Sequence, residues 1–146
     1  MKRRASGDRD VPAGYSKTPL VDKLGIKPGK RLRFVNEPAH YLELLGPLPA
    51  DVTVLKSTRG EIDFAHLFVT TKSALQRELP KLKNNLAKDG TLWISWPKGG
   101  STIQTDLKEG IVRDVGLAIG LVDVKICAVD QNWSGLKFVY RLKDRG

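Results

Sequence analysis

Residues able to do chemistry are sparse in this 146-residue chain, and their spacing excludes more than it specifies. The two histidines, His40 and His66, fall on different expected elements, with no second histidine or cysteine at ligand spacing, so no metal site is expected. His40 follows Glu37 by three residues, which would put both on one helical face and allow general-base work, although an exposed first-turn histidine is the commoner arrangement. Ser16, Ser73, Ser95 and Ser134 lack a partnered base, so no nucleophilic triad is expected. Lys98-Gly99-Gly100-Ser101-Thr102 is the one glycine-rich loop. Its amides could form an anion nest ahead of a helix, but the lysine precedes the glycines, which is not the phosphate-loop order, and the segment reads as a flexible loop.

Charge is distributed unevenly. The formal net charge is +9, yet residues 1–35 carry ten Lys/Arg against three Asp/Glu, residues 36–136 eleven against twelve, and residues 137–146 four against one. A neutral body with basic ends reads as solubilising fringes, with an acidic partner as the other option. Hydrophobic residues make up 40% of the chain, enough to bury one core. The single cysteine, Cys127, excludes an internal disulfide and sits in an apolar alternation, as a small buried hydrophobe would. No apolar run is long enough to span a membrane, and Met1-Lys2-Arg3-Arg4 is followed by Ser6, Gly7 and Asp8, so a cytoplasmic protein is expected.

These residues must be positioned by a series of elements. Residues 1–13 have almost no apolar content and are expected to be a disordered basic lead-in. Thr18-Pro19 before Leu20, Val21 and Leu24, with Gly25 beyond, predicts a short capped helix. Strands are predicted at Arg31–Val35, Val52–Lys56, Ile62–Val69 and Thr91–Trp96, and a helix at about Pro38–Leu45. Ser73-Ala74-Leu75-Gln76 has the form of a capping box, and Leu75, Leu79, Leu82 and Leu86 would line one face of a helix kinked at Pro80. Asp89-Gly90 should turn the chain into the fourth strand. A further helix is expected from about Thr105 to Ala118, with Leu107, Ile111, Val112 and Val115 buried. Val124, Ile126 and Ala128, then Leu136, Phe138, Tyr140 and Leu142, alternate around a turn at Asn132-Trp133-Ser134-Gly135, which predicts a β-hairpin. Strands separated by helices imply a parallel sheet with right-handed crossovers, closed by one antiparallel strand.

Two resemblances follow from these strings. From Arg31 to Leu142 the order, with Asp63 before an apolar run and Leu86-Ala87-Lys88-Asp89-Gly90-Thr91-Leu92-Trp93-Ile94 at the helix-to-strand turn, resembles a trimmed class I methyltransferase. That implies a three-layer, Rossmann-like α/β fold over residues 14–146, with a mostly parallel six-stranded sheet in the order 2-1-3-4-6-5 and an antiparallel C-terminal hairpin strand. Ala13-Gly14-Tyr15-Ser16, Leu24-Gly25-Ile26-Lys27-Pro28-Gly29, Leu45-Gly46-Pro47-Leu48-Pro49, Trp96-Pro97-Lys98 and Trp133-Ser134-Gly135-Leu136 resemble the bacterial family catalogued as domain of unknown function three-zero-five-two, which implies no activity.

In such a sheet a ligand would sit beyond the carboxyl ends of strands one and three. That place would collect Asn36, Glu37 and His40, then Thr70, Thr71 and Lys72, with Trp96 and Lys98 from strand four. Asn36 reads first as a helix cap. Trp96 and Trp133 would form either a contact surface or packing between the hairpin tip and the strand-four loop, with Asp130 adding hydrogen-bonding capacity at the tip. The turn at Asn36-Glu37-Pro38 lacks the glycines that let a cofactor approach bare backbone, and Lys56-Ser57 stands where a ribose-binding acid would be. The expectation is therefore that no cofactor is required and S-adenosylmethionine is disfavoured. It leads to a non-catalytic, methyltransferase-like module binding a protein or small ligand. The alternatives are a methyltransferase with a divergent cofactor turn, in which Glu37 would accept the ribose hydroxyls, and nucleic-acid association through the basic ends.

Overall fold

The computed structural model describes residues 18–145; the expected lead-in at 1–13 lies outside them. Helix α1 spans Leu20–Leu24 and ends at Gly25, whose φ of 82° is the left-handed conformation that glycine adopts without a Cβ clash. Strand β1 (Arg31–Val35) keeps the bounds its alternation predicts, with Leu32 and Phe34 buried. Helix α2 is shorter than expected, at Tyr41–Leu45. Pro38 contributes only a turn, accepting the Tyr41 amide. There follow β2 (Thr53–Leu55), β3 (Ile62–Phe68), α3 (Lys72–Asn85), β4 (Leu86–Pro97), α4 (Glu109–Ala118), β5 (Leu121–Ala128) and β6 (Trp133–Tyr140).

The six strands form one mixed sheet in the order β2-β1-β3-β4-β6-β5, as the resemblance implies. The β2-β1-β3-β4 ladder is parallel, and β6 pairs antiparallel with both β4 and β5. One buried cluster joins Leu75, Leu79 and Leu82 of α3 and Val112 and Val115 of α4 to Ala65, Leu67, Leu92 and Ile94 of the sheet. A second joins Leu20 and Leu24 of α1 and Tyr41 and Leu45 of α2 to Phe34, Phe64, Phe68 and Trp93. Adjacent strand residues thus serve opposite helical layers, the period-two rule that makes this a three-layer fold.

Several local expectations are corrected. The α3 cap is Thr71, whose hydroxyl accepts the Ala74 amide, rather than Ser73. Leu86 opens β4 instead of completing the helical stripe. Asp89-Gly90 lies inside β4, in an excursion: Leu86 pairs with Ile62 and Thr91 with Phe64, so residues 87–90 leave the ladder. Gly90 is required there, because a Cβ would lie 2.9 Å from the Ala87 carbonyl oxygen. Helix α4 starts at Glu109, four residues later than predicted. The hairpin turn falls at residues 129–132, and Asn132 accepts the Lys98 amide through its carbonyl at 2.8 Å. Val124 and Ile126 face outward on the edge strand, at 53% and 49% exposure.

At the amino ends of the strands, Arg31 donates from Nε and Nη2 to Asp63 and from Nη2 to Glu61, and its amide also binds Asp63. These bonds hold the Asp63 carboxyl below its ordinary range and tie β1 to β3. Asp63 is therefore a structural clasp at the end opposite the candidate crevice.

Candidate functional site

The carboxyl ends of β1, β3 and β4 carry most of the residues singled out from sequence. At the first of these, Asn36 is not a helix cap. It has φ 60°, a left-handed conformation that asparagine tolerates better than most side chains, and it reverses the chain after β1 without glycine. Asn36 and Glu37 are both exposed. Pro38, the third residue of the bend, is half-buried.

His40 takes the cap position of α2 without capping it, and its Nε2 lies 2.8 Å from Asp130 Oδ2 across the top of the sheet. The His40 side chain is 48% exposed while that of Asp130 is 6% exposed. The other carboxylate oxygen of Asp130 accepts the amides of Asn132 at 2.8 Å and Trp133 at 2.9 Å. A buried carboxylate fixed by two amides thus orients an exposed imidazole, the geometry in which a histidine can hold or move a proton. The same contacts make Asp130 the organiser of the hairpin turn. Asp130→Ala is expected to cost about 2–3 kcal/mol, since it strands the buried Trp133 amide, whereas Asp130→Asn, which keeps the acceptor oxygen, should cost about half of that. Urea midpoints of the two variants check the ordering.

Trp96 and Trp133, left between contact surface and packing, are buried at 5% and 9% exposure. Trp133 meets Phe68 edge-on at 5.1 Å, and Trp96 joins the α3/α4 cluster. They are floor rather than surface. Beneath the crevice, Tyr41 Oη lies 2.7 Å from His66 Nδ1, and His66 Nε2 lies 2.7 Å from Ser95 Oγ. His66 and Ser95 are fully buried. Burial pushes the His66 imidazole down to about 3 and the Tyr41 phenol well above its ordinary value, with Glu37 adding to the latter. A neutral imidazole donates from one nitrogen and accepts at the other, so both are satisfied without charge. Sequence placed His66 in an apolar run but carried no signal of its two partners, which lie 25 and 29 residues away.

On the α3/α4 side, an open cleft of about 910 Å³ is lined by Thr71, Trp96, Pro97, Lys98, Gly99 and residues 101–109. Thr105 donates its hydroxyl to the Thr70 carbonyl and accepts the Leu107 amide. Asp106 accepts the Lys72 amide at 2.8 Å. These bonds fix the segment before α4 against the β3–α3 turn. Trp96 and Lys98 therefore line the cleft, Thr70 and Lys72 are tied to its residues 105 and 106 through their backbone, and Asn36, Glu37, His40 and Asp130 lie outside its lining. Thr105, Asp106, Lys108 and Glu109 were missed because a helix was expected from Thr105; the Thr105-to-Leu107 hydroxyl turn was the available signal.

Among the described residues no group of three or more His, Cys, Asp or Glu side chains is placed to hold a metal, and no helix is long and apolar enough to cross a membrane. Burial raises the Cys127 thiol above its ordinary value, opposed by Lys23, Lys125 and Lys98. At the opposite end of the sheet, Arg141 and Arg145 donate to the Leu117 and Tyr140 carbonyls, and Lys88 lies over the Tyr140 ring at 4.4 Å. Part of the basic C-terminal segment is thus engaged in packing.

No family model and no curated protein sequence matches the chain. Solved structures do. A SAM-dependent methyltransferase from Aquifex aeolicus matches with a TM-score of 0.59 at 16% identity over 82% of this chain and 86% of that one. A ribosomal protein L11 methylase from Lactobacillus delbrueckii subsp. bulgaricus matches with 0.57 at 13% identity over 84% and 75%. A magnesium protoporphyrin IX methyltransferase from Synechocystis PCC 6803 with bound SAH matches with 0.54 at 10% identity over 84% and 78%, and it has also been solved with SAM. The α/β fold of this chain is the one these methyltransferases share. The expectation that no cofactor is required and that S-adenosylmethionine is disfavoured is corrected accordingly: SAM and SAH occupy a protein of this fold, and here Asn36 turns the chain after β1 in the left-handed conformation without glycine.

Proposed function

We propose that this chain is an S-adenosylmethionine-dependent methyltransferase with a divergent cofactor turn. The observation that carries the reading is Asn36, which supplies at φ 60° the sharp reversal after β1 that glycine commonly supplies, beside β3 at the place where the strand order reverses. The exposed Asn36 and Glu37 leave that edge open to a ligand. Glu37 offers two carboxylate oxygens to paired hydroxyls, a role that Lys56 and Ser57 at the end of β2 do not fill. The bound cofactor would supply an electrophilic methyl group. The protein's own part is to orient an acceptor from the cleft side and, through His40 held by Asp130, to take its proton. The resemblance to the domain of unknown function three-zero-five-two adds no activity to this reading.

Calorimetric titration with S-adenosylmethionine and with its demethylated product tests it. Micromolar binding is expected, and Glu37→Ala should weaken it by at least about tenfold through loss of a charge-assisted hydroxyl contact. Absence of binding by the unaltered chain would overturn the proposal. Unchanged binding by the variant would remove Glu37 from it.

A further inference from the structure

The cleft between the β4–α4 segment and the β3–α3 turn has an uneven charge economy. Its two acids are both hydrogen-bonded: Asp106 accepts the Lys72 amide and keeps its negative charge, and Glu109 is paired with Arg113, which also binds Asp123. Its two lysines are not. Neither the Lys98 nor the Lys108 ammonium group has a hydrogen-bond or ion-pair partner among the described residues. The amide of Gly99, which lines the cleft, and that of its neighbour Gly100 are likewise without an intramolecular acceptor among those residues, and both glycines are exposed. With no Cβ contact within 4 Å at either glycine, backbone is accessible to a ligand along this stretch. Lys108, at the cap position of α4, has no acceptor to offer the first amides of that helix.

A compact anion with several oxygens uses such a set best. Lysine ammonium groups and backbone amides are the donors a phosphate takes, and along the cleft the two lysines outnumber the one acid without a cationic partner, Asp106. We infer that the cleft binds a small molecule bearing a phosphate monoester, seated between Lys98 and Lys108. Its assignment as the methyl acceptor rests on the methyltransferase reading; the binding itself does not.

Amide chemical-shift titration of the full chain with phenyl phosphate, and in parallel with phenol as the uncharged counterpart, tests the inference. Saturable shifts confined to residues 98–102 and 108–110 are expected with phenyl phosphate and not with phenol. The double variant Lys98→Ala/Lys108→Ala should weaken binding by about a hundredfold, one factor of ten for each lost charge-assisted bond. Equal response to phenol, or undiminished binding by a folded double variant, would overturn it. S-Adenosylmethionine titrated into the same samples separates the two claims. Phosphate binding without cofactor binding would leave the cleft assignment standing and remove the methyltransferase reading, and the converse result would do the reverse.

Discussion

His66→Ala is expected to lower the free energy of unfolding by about 3–5 kcal/mol, a large share of the total for a domain of this size. The loss has two parts. The ring is stacked on Phe68 at 4.2 Å and packed edge-on against Tyr41 at 5.2 Å, so its removal opens a cavity in a core of large side chains. It also leaves the Tyr41 hydroxyl and Ser95 Oγ, each 2.7 Å from a ring nitrogen, without that partner in a dry interior. Denaturant unfolding at pH 7 measures the loss. A deficit below about 1 kcal/mol would mean that the site collapses or hydrates freely.

The same residue sets a pH dependence with a defined sign. The unfolded imidazole takes up a proton near its ordinary value of 6.5, while the folded one resists until about 3. Above pH 6.5 both states are neutral and His66 contributes no slope. As pH falls from 6.5 towards 3 the unfolded state gains the proton first, so stability drops by up to about 1.4 kcal/mol per pH unit from this group. The slope between pH 6 and 4 should therefore be shallower in His66→Ala than in the unaltered chain. Parallel slopes would show that His66 is protonated in the folded state.

Gly116→Ala is expected to cost about 2–3 kcal/mol, against the direction of helix propensity. Alanine in a helix interior is favoured over glycine by about 1 kcal/mol. Here a Cβ would lie 2.2 Å from Phe138 Cε2 and 2.6 Å from Cζ, and that ring is fully buried between α4 and the sheet. An aromatic ring locked in a packed core cannot give way by that distance without displacing the helix, so overpacking outweighs propensity. Gly110 in the same helix is the control, because nothing lies within 4 Å of a Cβ there and Gly110→Ala should stabilise by a few tenths of a kcal/mol to about 1 kcal/mol. Thermal melts of both variants, with Gly116→Ala/Phe138→Leu to relieve the clash, check the assignment.

Much of the architecture was legible because burial follows period. Leu32 and Phe34 in β1, and the leucines of α3, announce which face is covered, and strand–helix alternation followed by a hairpin constrains the sheet. What escaped was set by single polar contacts over long separations. The hairpin turn was displaced because the carboxylate of Asp130 captures two amides and lets β6 begin at Trp133. Trp96 and Trp133 could not be assigned from sequence, since their burial depends on packing into two core clusters on opposite sides of the sheet. At the site itself, the missing glycine was read as obstruction because composition reports which residue is present, not its φ, and Asn36 adopts the conformation regardless. His40 and Asp130 were both candidates, but nothing along the chain marked them as a pair 90 residues apart.

The excursion of residues 87–90 also separates chain length from the orientation of everything downstream. Lys88 and Asp89 are exposed and outside the ladder, so an extra or missing residue there can be absorbed before pairing resumes at Thr91. The same change a few positions later would turn Trp93 and Ser95 towards the wrong helical layer. Natural variation in length among related chains, and any inserted tag, should therefore concentrate at this blister in the fourth strand rather than in the segment that follows it.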